Sequence, residues 1–252
     1  MASEFEIFEN RRYSGLVIEH PSVVDYASFR SLLGRSAGKS TAIELPGSNW
    51  SVRRFQYIID RSFYPDVVSE EYSMVHQRGV AHEMYFASTR SAGRAGVAVS
   101  LVASPYVRLL SHLWSLVKPS LPPPAPLYMK TDVELVRDAL SARTTDDLTI
   151  VKATFQIFGD TAAQTIALSG RAPLRSNVFG KIAADLVPVS LRVKFLEPFG
   201  EGRVEFDKFG NLWWFQASES RLRGALDFVD FLFEHRFASL DRAFPLDRKI
   251  VD

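Results

Sequence analysis

The chain has no cysteine. That excludes disulfides, thiolate zinc sites, Cys-held iron–sulfur clusters and a cysteine nucleophile. It has almost no net charge either. Its 30 basic residues stand against 29 acidic ones, leaving +1, so no global field draws the molecule to DNA, RNA or an anionic membrane. Long apolar runs are also missing. The longest, around Gly96 to Ala103, falls far short of the roughly 18 to 20 residues that cross a bilayer. The first ten residues carry Glu4, Glu6 and Glu9, where a signal peptide needs a basic start and an apolar stretch. These absences predict a soluble, cytoplasmic protein with no membrane association, and no motif calls for a cofactor.

What is present is a globular composition, 46% hydrophobic and 23% charged over 252 residues, enough to build a full core. Arginine outnumbers lysine 22 to 8. Codon usage in a GC-rich genome produces that bias; so does a need for planar guanidinium groups facing phosphate or carboxylate partners.

The clearest break is proline-rich. Lys118 and Pro119 lead into Leu121, Pro122, Pro123, Pro124, Ala125 and Pro126, and locked proline torsions stop any helix there. The segment 119–126 reads as a stiff spacer between an N-terminal α+β region, 1–118, and a C-terminal α+β region, 127–252, which are separate domains or halves of one core. Neither side shows an internal repeat.

Before the spacer, apolar spacing predicts helices over Ser22 to Leu33, over Ser51 to Phe63 and after Pro105, with strands at Tyr72 to Gln77, Val80 to Ser88 and Val97 to Ala103. After it the alternation is cleaner. Val189, Leu191, Val193 and Phe195 point one way and Ser190, Arg192 and Lys194 the other, the mark of a strand with one solvated face. Val151, Ala153, Phe155 and Ile157 repeat the pattern, and Gly159 with Asp160 turns the chain into a partner ending near Ser169. A short helix from Ser176 or Asn177 to Leu186 follows. Arg203 to Asp207 and Leu212 to Gln216 form a hairpin around Gly210 and Asn211. Glu219 to Arg236 is then the longest helix, apolar enough at Leu222, Leu226, Phe228, Val229, Phe231, Leu232 and Phe233 to be enclosed or to meet a partner. The expected fold is α+β: antiparallel sheets with helices packed on one face and a long C-terminal helix.

No catalytic motif is complete. Gly34-Arg35-Ser36-Ala37-Gly38-Lys39-Ser40 looks like a phosphate-binding loop, but three residues separate its glycines where four are required, and a helix rather than a strand is expected before it. His76, His82 and Glu83 are the one place where two histidines and a carboxylate lie close, across a predicted turn at Arg78 and Gly79; they are the candidate metal ligands of a metal-assisted hydrolase or nuclease. His20, His112 and His235 stand apart. The remaining feature is a basic strand face: Lys152, Arg192 and Lys194, with Arg203 and Lys208 on a neighbouring segment, and Trp214 as the aromatic that stacks on a partner. The function expected from the sequence is therefore a non-enzymatic binding or assembly subunit contacting an anionic partner, nucleic acid or protein. The rivals are the metal-dependent hydrolase and a structural homo-oligomer joined through the C-terminal helix and the tail containing Phe237, Leu240 and Phe244.

Overall fold

A computed structural model describes residues 12–59, 80–90, 98–105, 107–142, 147–156, 165–171, 173–175, 186–196, 202–215 and 219–242. These contain twelve strands in one sheet. In the first half they are β1 (Arg12–Glu19), β2 (Ala37–Ile43), β3 (Ser51–Ile59), β4 (Val80–Thr89) and β5 (Val99–Ser104). In the second they are β6 (Leu127–Thr131), β7 (Leu148–Gln156), β8 (Thr165–Ser169), β9 (Pro188–Phe195), β10 (Gly202–Asp207), β11 (Leu212–Phe215) and β12 (Ala238–Asp241). The order across the sheet is β2-β3-β4-β5-β1-β11-β10-β9-β7-β8, with β6 joining β1 to β12. Each of these pairings is antiparallel.

The hub is β1. One edge pairs with β5; the other is shared end to end by β11, opposite Arg12 to Gly15, and β6, opposite Ile18 and Glu19. Both faces of this strand are covered, and Tyr13 to Ile18 are all buried. Gly15 is required there because a Cβ would lie 2.6 Å from the Trp214 ring. The other demanding glycine is Gly210, at φ 85° in the β10–β11 turn, where a Cβ would collide with the Met129 carbonyl on β6.

Among the described residues four α-helices complete the fold: α1 (Tyr26–Leu33), α2 (Val107–Val117), α3 (Val133–Ser141) and α4 (Glu219–Glu234). Strand alternation sorts them between the two faces. Leu16, Ile18, Phe55, Tyr57, Met84, Phe86 and Val102 pack on one face with Phe29 and Leu33 of α1 and Leu110, Leu113 and Trp114 of α2. Val17, Leu101 and Ala103 on the opposite face share a core with Ile150, Leu191, Val193, Phe206 and Trp214, closed by Val136 of α3 and by Leu222, Leu226, Phe228, Val229 and Leu232 of α4. Phe228 stacks on Phe195 at 6.2 Å and tilts onto Phe206 at 5.6 Å. At the first half's edge, Trp50 Nε1 donates to Asp230 Oδ2 at 2.8 Å.

The fold expected from the sequence is thus corrected. Helices occupy both faces of one mostly antiparallel sheet, and α4 is one of four short helices among the described residues, followed by β12. Its apolar stripe is consumed inside the molecule. The helix expected over Ser51 to Phe63 is the strand β3, in which Phe55, Tyr57 and Ile59 alternate inward. The helix expected from Ser22 starts later, at Tyr26, where Asp25 and Ser28 form a reciprocal cap. The segment after Gly34 is β2, not a link between helices. The strands expected at Val80, Val97, Val151, Val189, Arg203 and Leu212 are present with shifted ends. In β7 the inward phase differs: a register shift between Ile150 and Lys152 leaves Val151 half-exposed while Leu148, Ile150, Ala153 and Phe155 are buried. The strand expected at Tyr72 to Gln77 and most of the helix expected from Ser176 lie outside the described residues.

The proline-rich segment is tied to the end of β1. His20 is buried; its Nδ1 accepts from the Ser22 N–H at 3.0 Å, which makes Nε2 the protonated nitrogen, donating to the Pro122 and Pro124 carbonyls at 2.9 Å each.

Candidate functional site

The face that carries α1 and α2 over the first half continues across β11, β10, β9 and β7 with no helix among the described residues packed on it. Cross-strand partners share a side, so the register fixes what this area displays. Ser14 lies opposite Trp213, Trp213 opposite Glu205, Glu205 opposite Arg192, and Arg192 opposite Lys152. One step along, Arg203 faces Lys194, which faces Thr149.

Glu205 organises the row. It is only 6% exposed. Arg192 donates to its Oε2 from Nε at 3.0 Å and from Nη2 at 2.6 Å, Lys152 Nζ reaches Oε1 at 3.4 Å, and Arg12 Nη2 lies 4.0 Å from Oε2. Burial alone would push this carboxyl up. The Arg192 hydrogen bonds and the charges of Arg192, Lys152 and Arg12 outweigh burial and hold it below the ordinary carboxylate range. The Arg12 guanidinium also lies 4.7 Å over the half-buried Trp213 ring, a cation–π geometry. Asp207, the next acid along β10, is occupied by its own turn, accepting from the Phe209 and Asn211 N–H groups and from the Asn211 amide.

Of the residues singled out from sequence, the structure brings Lys152, Arg192, Lys194 and Arg203 onto this one area. Lys208 is elsewhere, in the β10–β11 turn, with Nζ 5.2 Å from the Phe209 ring centroid. Trp214 is a correction: it points to the α4 face, is 1% exposed and stacks on Tyr13 at 5.9 Å. Two adjacent strand residues cannot share a face, and Trp213 takes the outer one.

The chain matches no protein-family model and resembles no curated protein in sequence.

The histidine group is arranged differently from the expectation. His76 lies outside the described residues. His82 and Glu83 are neighbours on β4 and point to opposite faces: His82 lies opposite Tyr57 under α2, while Glu83 accepts from the Tyr85 hydroxyl at 3.4 Å and approaches Arg54 on the other side. On α2 the His112 ring lies 6.1 Å from that of Tyr57. Burial lowers both imidazole pKa values and pushes the Tyr57 hydroxyl up to about 12. Among the described residues no three His, Cys, Asp or Glu side chains gather as a metal site, and no helix is long and apolar enough to cross a membrane.

Sequence reasoning missed Arg12 and Glu205, and of the two adjacent tryptophans, which must face opposite ways, it took Trp214 rather than Trp213 as the outer one. The signal for Glu205 was available in the alternation of β10, where its parity with Arg203 assigns it to the basic side. Arg12 was not legible, because β1 itself has no polar-apolar alternation.

Proposed function

We propose that the protein is a non-enzymatic binding or assembly subunit that engages an anionic partner, with nucleic acid as the leading candidate, through the part of this sheet face on which no helix among the described residues packs. The observation that carries the reading is the concentration of Arg12, Lys152, Arg192, Lys194 and Arg203 on one side of the sheet around a single buried carboxylate. A molecule with net charge +1 places that excess in one area, and local rather than global charge is what a bound phosphate chain meets.

The geometry suits an extended anion. Strands lie about 4.8 Å apart, so the row from Lys152 to Trp213 spans roughly 14 Å, the reach of a few phosphates. Glu205 holds Arg192 in one orientation, which reduces the side-chain freedom lost when a phosphate takes over its contacts. Trp213 offers an aromatic surface beside the cations, the pairing used for sequence-tolerant recognition of single strands.

Fluorescence anisotropy with labelled single- and double-stranded DNA and RNA across a salt series tests the reading. Binding at low salt that weakens linearly in log–log form, and more steeply than in a Lys194→Glu, Arg203→Glu double variant, supports it. Absence of binding at low salt overturns it.

A further inference from the structure

We infer that the acidic segment ahead of β1, Glu4 to Glu9, docks on the basic sheet face of its own chain and competes there with the anionic partner, which rests on the reading of that face as an anion-binding surface. Residues 1–11 lie outside the described residues; their composition and their point of attachment are what matter. Glu4, Glu6 and Glu9 fall in a stretch that holds no cation, and Arg11 is the one basic side chain in residues 1–11. Phe5, Ile7 and Phe8 fill the places between the acids. In an extended chain residues 4, 6 and 8 share a side. That side offers two carboxylates and an aromatic ring to a surface of cations and one tryptophan.

The segment is tethered at that surface. β1 begins at Arg12, whose guanidinium lies 4.7 Å over the Trp213 ring and 4.0 Å from Glu205 Oε2. Arg12 pairs with Phe215, so the preceding residues join the sheet at the same strand ends as Arg203 and Lys194. Those two are register partners, and like charges opposite one another on neighbouring strands favour a carboxylate placed between them. Crossing from β1 over β11 and β10 to β9 takes three strand spacings, about 14 Å. The chain from Glu6 to Arg12 can span about 20 Å, so the acids reach the Arg203–Lys194 pair with length to spare. Exposed ion pairs are individually weak, but a short tether supplies an effective concentration on the order of millimolar, at which weak pairs suffice. Such contacts yield to salt and to a longer anion.

Carbodiimide cross-linking of the full-length protein tests the docking without any nucleic acid, because it joins carboxylates only to amines they already touch. Lys130 and Asp241, 3.7 Å apart, are the internal positive control. Expected are links from Glu4, Glu6 or Glu9 to Lys194 or Lys152, mapped by mass spectrometry in the monomer band and lost at about 1 M salt, where screening shortens to about 3 Å. No such link, links only to other lysines, or links only between two copies overturn the inference. Competition is read from the full-length Glu4→Gln, Glu6→Gln, Glu9→Gln variant. Its affinity for a labelled single-stranded RNA at low salt should exceed the parent's about threefold to tenfold, the factor for a docked form about 70 to 90% populated. A control variant, Glu83→Gln, Glu134→Gln and Asp138→Asn, makes the same charge change at ion pairs away from this face and should stay within about twofold of the parent. An equal gain in the control, or none in the first variant, overturns the competition. If neither protein binds RNA, the nucleic-acid reading of the face fails and the cross-links still decide the docking.

Discussion

On one side of the sheet, α1 and α2 cover β1, β3, β4 and β5 with Phe29, Leu110, Leu113 and Trp114, while the same side over β7, β9, β10 and β11 shows Lys152, Arg192, Glu205 and Trp213. The strands are continuous and the register is unbroken across the join at β1 and β11. What differs is the residue type at alternate positions. In β1 and β5 both parities are buried, so both faces must be packed there. In the second half one parity is charged, and the charges neutralise one another well enough that Glu205 is buried with no helix among the described residues above it. An area held by its own ion pairs is stable while free and still able to exchange those pairs for a partner's. That is the property a docking surface for an anion needs.

Four substitutions and one control test how far the halves differ. The largest effect is expected at Phe228, which the α4-side core of both halves shares. Phe228→Ala should lower stability by about 3 to 5 kcal/mol, and denaturant unfolding should remain a single transition; two transitions would show that the halves hold together less than the common core implies. Next is His20→Ala, which strands the Ser22 N–H and the Pro122 and Pro124 carbonyls. A loss of about 2 kcal/mol is expected by chemical denaturation.

Glu205→Gln should cost about 1 to 2 kcal/mol, because Arg192, Lys152 and Arg12 then face one another without the charge between them. The same substitution type at Glu83, exposed beside Arg54, should cost almost nothing, which distinguishes an organising carboxylate from a surface ion pair.

Apart from the Glu83 control, the smallest effect is at Asp230. Burial raises its carboxyl to about 6, with Glu234 and Asp227 adding to the rise and the Trp50 hydrogen bond opposing it. A carboxyl that binds its proton more tightly folded than unfolded favours the folded state at low pH, so this contribution is full below about pH 4 and fades as pH climbs through 6. Asp230→Asn keeps an acceptor for Trp50 and removes the titration. Its stability should exceed the parent's by about 1 kcal/mol at pH 7.5 and converge with it near pH 4; a constant difference across that range would assign the effect to packing instead.

The contrast between halves also explains what was legible. Val189 to Phe195 reads as a strand because one face is wet, and β9 alternates accordingly. Tyr13 to Ile18 and Val99 to Ser104 are buried on both faces, so no period of two remains in them, and β1, the hub, escaped notice. In β3 the apolar positions Phe55, Ile58 and Ile59 happen to fit a helical stripe, and only pairing with β2 and β4 decides for the strand. At the candidate site the cations were readable from parity. Parity puts Glu205 on the same side, but its role as their shared partner was not readable, since that lies in which strands are neighbours: β9, β10 and β7 meet at Glu205 from three separate stretches of chain.

The central claim is that Glu205 competes with an external anion for the same cations. Measuring the affinity of the Glu205→Gln protein for a labelled single-stranded RNA at fixed low salt, beside the parent, addresses it most directly. The account predicts binding about fivefold to tenfold tighter, with a steeper salt dependence, once the internal competitor is neutralised. Unchanged or weaker binding by a folded Glu205→Gln protein would contradict it.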